Sequence, residues 1–215
     1  MAKGAGLRSL SLSAFASSNL VSGIMKSILI HYGEIALKGQ NRGEFERCLL
    51  RNINRSMGNI VKDSGIYQGR IVVELKKYNK TTQKLASEKL MRVFGIAWFS
   101  FVDVCKSDMK NIEKASVKAS KGKIEKKTFK VESRRAWKEF EKNSMEMNMH
   151  LGGVLLDAYK CKVDIHTPQL RVFVEITKNV TYVYTDKIRG LGGLPVGSSG
   201  RVLVLFSGGL ESPVA

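Results

Sequence analysis

Cysteine, histidine and proline are scarce in this 215-residue chain, at three copies each. Cys48, Cys105 and Cys161 are widely spaced, odd in number and form no CxxC pair. That argues against a disulfide framework and against a structural zinc site. His31, His150 and His166 likewise lack metal-ligand spacing, so no metal site is expected. Each cysteine has apolar neighbours, so buried reduced thiols and a cytoplasmic location are expected. No apolar run reaches the ~18–20 residues of a membrane span. Acidic residues are missing altogether before Glu34. With Lys3 and Arg8 amid Ser, Leu and Ala, residues 1–25 read as a disordered N-terminal extension or an upstream start, in preference to a transit peptide.

What the chain has in excess is positive charge: 36 Lys+Arg stand against 19 Asp+Glu, a net +17. In a folded chain such an imbalance most often serves polyanions, nucleic acid before acidic membranes. The 43% hydrophobic content supports packed cores over disorder.

Hydrophobic periodicity divides the chain into two α/β units. Residues 26–33 read as a strand, and Asn41 with Glu44 as a capping box opening a helix through Phe45, Cys48, Leu49, Ile53 and Met57. Strands follow at 60–64 and 69–76, then a helix from Thr81/Thr82 to near Gly95, then a strand from Ile96 to Val104. The order β-α-β-β-α-β over residues 26–104 is a ferredoxin-like plan. In residues 105–187, Asp108 opens a helix ended by Gly122, and Thr128–Glu132 alternates as a strand. Asn143 with Glu146 forms a second capping box before a helix whose Gly152 and Gly153 would permit close packing. Strands at 162–166, 170–176 and 180–185 complete the unit. Residues 188–200 form a Gly-rich linker.

Basic residues recur on helix faces. Arg47, Arg51 and Arg55 lie four apart, as do Lys106, Lys110, Lys114 and Lys118. Like charges at that spacing oppose the helix by a few tenths of a kcal/mol per pair, a repulsion that a phosphate backbone relieves. Lys130, Arg134, Arg135, Trp137, Lys138 and Lys142 form a further cluster in which Trp137 is either a stacking platform or a core anchor. Together these residues predict one continuous electropositive surface shaped to RNA.

The last segment, Arg201 to Ala215, joins an unbroken apolar run to Ser207-Gly208-Gly209-Leu210-Glu211-Ser212-Pro213. A buried strand, a glycine turn and a helix start gather backbone N–H groups suited to phosphate. No Lys-Ser/Thr closes this loop, so a Walker A reading fails.

Gly33-Glu34-Ile35-Ala36-Leu37-Lys38-Gly39-Gln40-Asn41-Arg42 resembles the opening signature of tRNA 4-thiouridine synthetases, the tRNA sulfurtransferases. Asp186-Lys187-Ile188-Arg189-Gly190, running into Gly192-Gly193-Leu194-Pro195-Val196-Gly197, is similar to their linker, and Ser207 to Ala215 to their PP-loop. The resemblance implies a ferredoxin-like domain at 26–104, a THUMP domain gripping tRNA near its acceptor end at 105–187, and the start of an ATP-pyrophosphatase domain at 201–215. It implies that Leu205, Phe206, Ser207, Gly208, Gly209, Glu211 and Ser212 hold ATP, with Mg2+, for adenylation of O4 of uridine 8 of tRNA. Sulfur then comes from a persulfide cysteine charged by a cysteine desulfurase; many members also serve thiamine thiazole synthesis. Glu211 departs from the family Asp and reaches about 1.5 Å farther. The family's sulfur-carrying cysteines have no counterpart among the three here, so the chain is expected to bind tRNA without thiolating it. The alternative is a non-catalytic THUMP module acting alone or beside a separate catalytic chain. Homodimerisation is left open.

Overall fold

The computed structural model describes residues 23–200 and Gly209. The extension up to residue 22 and the rest of the predicted nucleotide-binding segment lie outside the described residues. The first module runs β1 (Met25–His31), α1 (Arg42–Met57), β2 (Val61–Tyr67), β3 (Arg70–Leu75), α2 (Lys80–Leu90) and β4 (Trp98–Lys106). Its strands lie in the order β2-β3-β1-β4, all antiparallel, as the ferredoxin-like plan requires. The second module adds α3 (Met109–Ser120), β5 (Thr128–Arg135), α4 (Ser144–Ala158), β6 (Lys162–Val163), β7 (Leu170–Ile176) and β8 (Val180–Tyr184). The α+β class expected from the sequence is the class found.

β4 is the seam between the modules. It pairs with β1 from Trp98 to Val104 on one side and with β8 from Asp103 to Lys106 on the other. The sheet therefore continues as β4-β8-β7-β5-β6. Aromatic and β-branched residues fill β4 without alternation because a central strand is covered on both faces.

The four α-helices among the described residues share one face of this sheet. Ile28, Ile30, Ile71, Val73 and Phe99 pack against Leu49 and Ile53 of α1 and Leu90 of α2. Cys105, on the same side of β4 as Phe99, belongs to the second core with Ile112 of α3, Leu151 and Leu155 of α4, and Phe129, Val131, Val172 and Val174 of β5 and β7. Among the described residues the opposite face carries no helix, yet Leu29, Val72, Val102, Val104, Val180 and Tyr182 are buried there. Twist accumulated from strand to strand curls the sheet over this face. The curl is marked by Arg70 of β3 meeting Glu175 of β7 at 2.7 Å, with β1, β4 and β8 between them in the sheet.

Helix starts follow local chemistry with one exception. Asp108 accepts from Asn111 N at 3.0 Å to open α3, and Asn143 with Glu146 forms the expected capping box of α4. Asn79, not a threonine, caps α2 by accepting from Thr82 N. The capping box expected at Asn41 does not form. A 3-10 turn at Gly39–Asn41 leads directly into α1, so Asn41 is already helical and its side chain makes no cap.

Two further expectations are corrected. A Cβ added at Gly152 or Gly153 would meet nothing within 4 Å, so these glycines do not permit close packing. The strand expected at 162–166 stops at Val163, because Asp164 accepts from His166 N (2.9 Å) and Thr167 N (3.0 Å) and turns the chain.

The Gly-rich segment after β8 is docked on the first module. Its start, β9 (Ile188–Arg189), pairs with Trp98 and Phe99 of β4. Gly190 N donates to Ala97 O (2.9 Å), and Gly192 N to Ile96 O (2.8 Å). Leu194 packs on the first core, and Val196 O accepts from Asn52 Nδ2 of α1 (2.9 Å). A Cβ at Gly190 would collide with the Ile96 carbonyl, a backbone atom that no rotamer change can relieve. Gly190→Ala is therefore expected to detach residues 188–200, costing roughly 1–3 kcal/mol. Limited proteolysis should cut faster within that segment than in wild type, whereas Gly152→Ala in open space should cut like wild type.

Candidate nucleic-acid interface

Strand alternation decides which predicted cations can meet a ligand on the helix-free face. Phe129 and Val131 of β5 point into the second core, so Lys130, Glu132 and Arg134 point the other way. The register carries this across: Lys162 lies beside Thr128, Arg171 beside Lys130, Phe173 beside Glu132, and Glu175 beside Arg134. Glu132 lies 3.2 Å from Arg171 Nη1 and 3.8 Å from Lys130 Nζ, so one carboxylate serves two cations.

Where the modules meet on this face there is a cavity of about 300 Å³ lined by His31, Trp98, Glu132, Arg134, Phe173, Glu175, Tyr184 and Lys187, among others. His31 stacks on Trp98 at 4.0 Å between centroids, and Phe173 on Tyr184 at 5.1 Å. The Lys187 ammonium sits over Phe173 at 3.9 Å and Trp98 at 4.8 Å. Flat aromatic faces beside the Lys187 ammonium and the Arg134 guanidinium are the chemistry that suits an unpaired base and its phosphate.

The floor of the cavity is a satisfied carboxylate. Arg70 Nε and Nη2 both lie 2.7 Å from Glu175 Oε2, and Tyr184 OH donates to Oε1 at 2.7 Å. His31 Nε2 is 3.2 Å from Oε1. Burial alone would raise the Glu175 carboxyl, but His31, Arg70 and the Tyr184 hydroxyl outweigh it and hold it down at about 2. The same burial and the adjacent carboxylate push the Tyr184 phenol up, so it stays a donor.

The other predicted residues lie in the helical layer or on the loop after β5, so the cations expected on one surface are divided between the two sides of the sheet, with Lys130 and Arg134 on the helix-free face. Arg47, Arg51 and Arg55 are exposed on α1, and Lys110 and Lys114 on α3, all in the helical layer. Lys118 lies 3.6 Å from the buried Asp103, whose carboxyl is raised by burial against the pull of Lys118 and Lys26. Arg135 points to the helix side, where Nη1 donates to Phe140 O (3.1 Å) and holds the loop after β5. Trp137 packs on the second core, edge-on to Phe140, and its Nε1 donates to Glu139 (3.1 Å). Lys138 is exposed and Lys142 half-buried on the same loop.

His31, Trp98, Phe173, Glu175, Tyr184 and Lys187 were not singled out by sequence reasoning. Strand alternation on β7 is the signal that could have found Phe173 and Glu175, since both oppose Val172 and Val174. Of the predicted PP-loop residues, Leu205, Phe206, Ser207, Gly208, Glu211 and Ser212 lie outside the described residues, and Gly209 is exposed. Among the described residues there is no cluster of His, Cys, Asp and Glu that could hold a metal ion, and no helix is long and apolar enough to cross a membrane.

Comparison with known proteins bears on both modules. Residues 27–100 match the ThiI ferredoxin-like domain and residues 106–186 the THUMP domain. A probable tRNA sulfurtransferase of Natranaerobius thermophilus is 39% identical over 199 residues, covering 87% of this chain and 47% of that protein. The chain thus spans about half the length of the curated relatives it matches. The crystal structure of a 4-thiouridine synthetase–RNA complex with bound ATP superimposes with a TM-score of 0.70 at 34% identity, covering 88% of this chain and 48% of that one. PH1313 from Pyrococcus horikoshii Ot3 also gives 0.70, at 33% identity, covering 80% of this chain and 58% of that one. Through its ThiI ferredoxin-like and THUMP domains, the chain belongs to the tRNA sulfurtransferase family.

Proposed function

We propose that this chain is the tRNA-gripping part of a tRNA sulfurtransferase, holding its substrate on the helix-free face with an unpaired nucleotide of the acceptor end in the cavity between the modules. The observation that carries this reading is the cavity itself, where Trp98, Phe173 and Tyr184 surround the Lys187 ammonium beside Arg134. Aromatic faces with adjacent cations suit single-stranded RNA, and phosphate contacts add affinity without reading sequence. The 39% identity to a probable tRNA sulfurtransferase supports tRNA over other RNAs. Thiolation of uridine 8 is proposed for the whole protein, with ATP and Mg2+ at the PP-loop and a cysteine desulfurase supplying persulfide.

The test is a tRNA titration followed by fluorescence anisotropy at several salt concentrations. Log affinity is expected to fall linearly with log salt, and Arg134→Ala to weaken binding and make the slope shallower by about 1. Affinity indifferent to salt, or a slope unchanged in Arg134→Ala, would overturn the assignment.

A further inference from the structure

At the far end of β5 the chain builds a second cationic site that neither the family match nor the cavity accounts for. A depression of about 390 Å³ is lined by Lys126, Lys127, Thr128, Lys160, Cys161 and Lys162. We infer that this depression binds backbone phosphates of the paired stem of the RNA whose unpaired end occupies the aromatic cavity. The inference rests on the RNA-binding reading above and extends it to a second contact.

The first argument is charge. Four lysines line the depression, and none forms an ion pair among the described residues, Lys127 acting on the Asp186 carboxylate only at longer range, whereas Lys118, Lys123, Lys130 and Arg171 are all paired. The ordinary reason for lysine here would be the negative end of α4, which finishes at Ala158. That reason covers Lys160, which follows the Tyr159 C-cap, but not Lys126 and Lys127, which come from a different segment, the loop before β5. Cys161 adds no opposing charge, because burial raises its thiol.

The second argument is construction. Lys126 N donates to Lys160 O (2.9 Å) and Lys162 N to Lys127 O (3.2 Å), which tie the two lysine-bearing segments together. Lys126 holds φ at 60°, a left-handed conformation that a residue with a Cβ rarely adopts and that these ties maintain. The lysines are thus presented by a fixed backbone.

The third argument separates stem from single strand. No aromatic ring among the described residues lines the depression, so it offers phosphate contact without a stacking surface. Lys162 and Thr128 share the helix-free face with Lys130, Arg171 and Arg134, giving a track along β5. From Thr128 to Arg134 is about 20 Å at the rise of a strand. A duplex presents roughly a dozen phosphates over about 20 Å of its axis, so a stem lying along the track reaches the depression while its end sits in the cavity.

The test uses the full chain, the exposed double variant Lys160→Glu with Lys162→Glu, and two RNA probes: a hairpin with an unpaired 3′ tail, and the tail alone. Hairpin affinity is expected to fall about 10–100-fold, with a salt slope shallower by about two, while tail affinity stays as in wild type. A charge-matched reversal on α2, Lys80→Glu with Lys84→Glu, should affect the hairpin far less. Hairpin binding that survives the lysine reversal, or that falls equally with the α2 reversal, overturns the second site and leaves the cavity reading standing if Arg134→Ala still weakens both probes. A wild-type chain that binds neither probe overturns both.

Discussion

Replacing Glu175 by leucine is expected to lower the thermal unfolding midpoint by roughly 6–20 °C. Removing one partner of a buried ion pair costs about 3–5 kcal/mol, because the other charge is left desolvated and unmatched. In a unit of this size each kcal/mol shifts the midpoint by about 2–4 °C. Arg70 is the charge that would be stranded: it is buried, and its guanidinium makes two of its contacts with Glu175 Oε2. The pair also joins β3 of the first module to β7 of the second, so its loss opens the curl over the helix-free face. Pairing Glu175→Leu with Arg70→Met should recover most of the loss, since apolar residues of similar volume often replace buried ion pairs at little cost. A single variant as stable as wild type would show that the curl does not depend on this contact.

The same carboxylate gives a pH signature. Its folded value, about 2, lies below the ordinary 4.5, so its contribution is complete above about 4.5 and is lost as pH falls toward about 2. Glu175→Gln should flatten the acid limb of stability in that window while keeping a neutral acceptor for Arg70. An acid limb identical to wild type would assign it to other carboxylates.

What could be read in the sequence was local. The β-α-β-β-α-β order, the Asp108 cap and the Asn143–Glu146 box depend on residues within a few positions of one another, and all are present in the structure. The Asn41 box fails because the 3-10 turn at Gly39–Asn41 runs straight into α1 and leaves Asn41 in helical conformation, which the capping pattern does not register. Helix periodicity placed Arg47, Arg51 and Arg55 on one stripe but carries no information about which side of the sheet that stripe occupies. The cavity was harder still. His31, Trp98, Phe173, Tyr184 and Lys187 come from β1, β4, β7, β8 and the segment before β9, and they converge only because a shared β4 fuses two modules into one curled sheet. Arg134 and Arg135, adjacent in sequence, face opposite sides of that sheet, and only Arg134 lines the cavity.

Phe173→Ala is expected to weaken binding of an RNA with an unpaired end by about 5–150-fold, the equivalent of 1–3 kcal/mol for one lost base-stacking surface. Phe173 is the informative ring because it is half-buried and stacked on Tyr184 without belonging to the strand seam. Trp98, by contrast, opens β4 and stacks on His31, so its removal would disturb the sheet itself. The loss should be independent of salt, since no phosphate contact is removed. Lys187→Gln should give the complementary pattern: a salt slope shallower by about one, because an ammonium now resting 3.9 Å over Phe173 is released to a phosphate when a base takes its place on the ring. A blunt-ended duplex, with no base to insert, should respond to neither change. If Phe173→Ala weakens blunt and tailed RNA alike, the ring supports the fold and does not stack a base; if it weakens neither, the cavity is not the point of entry.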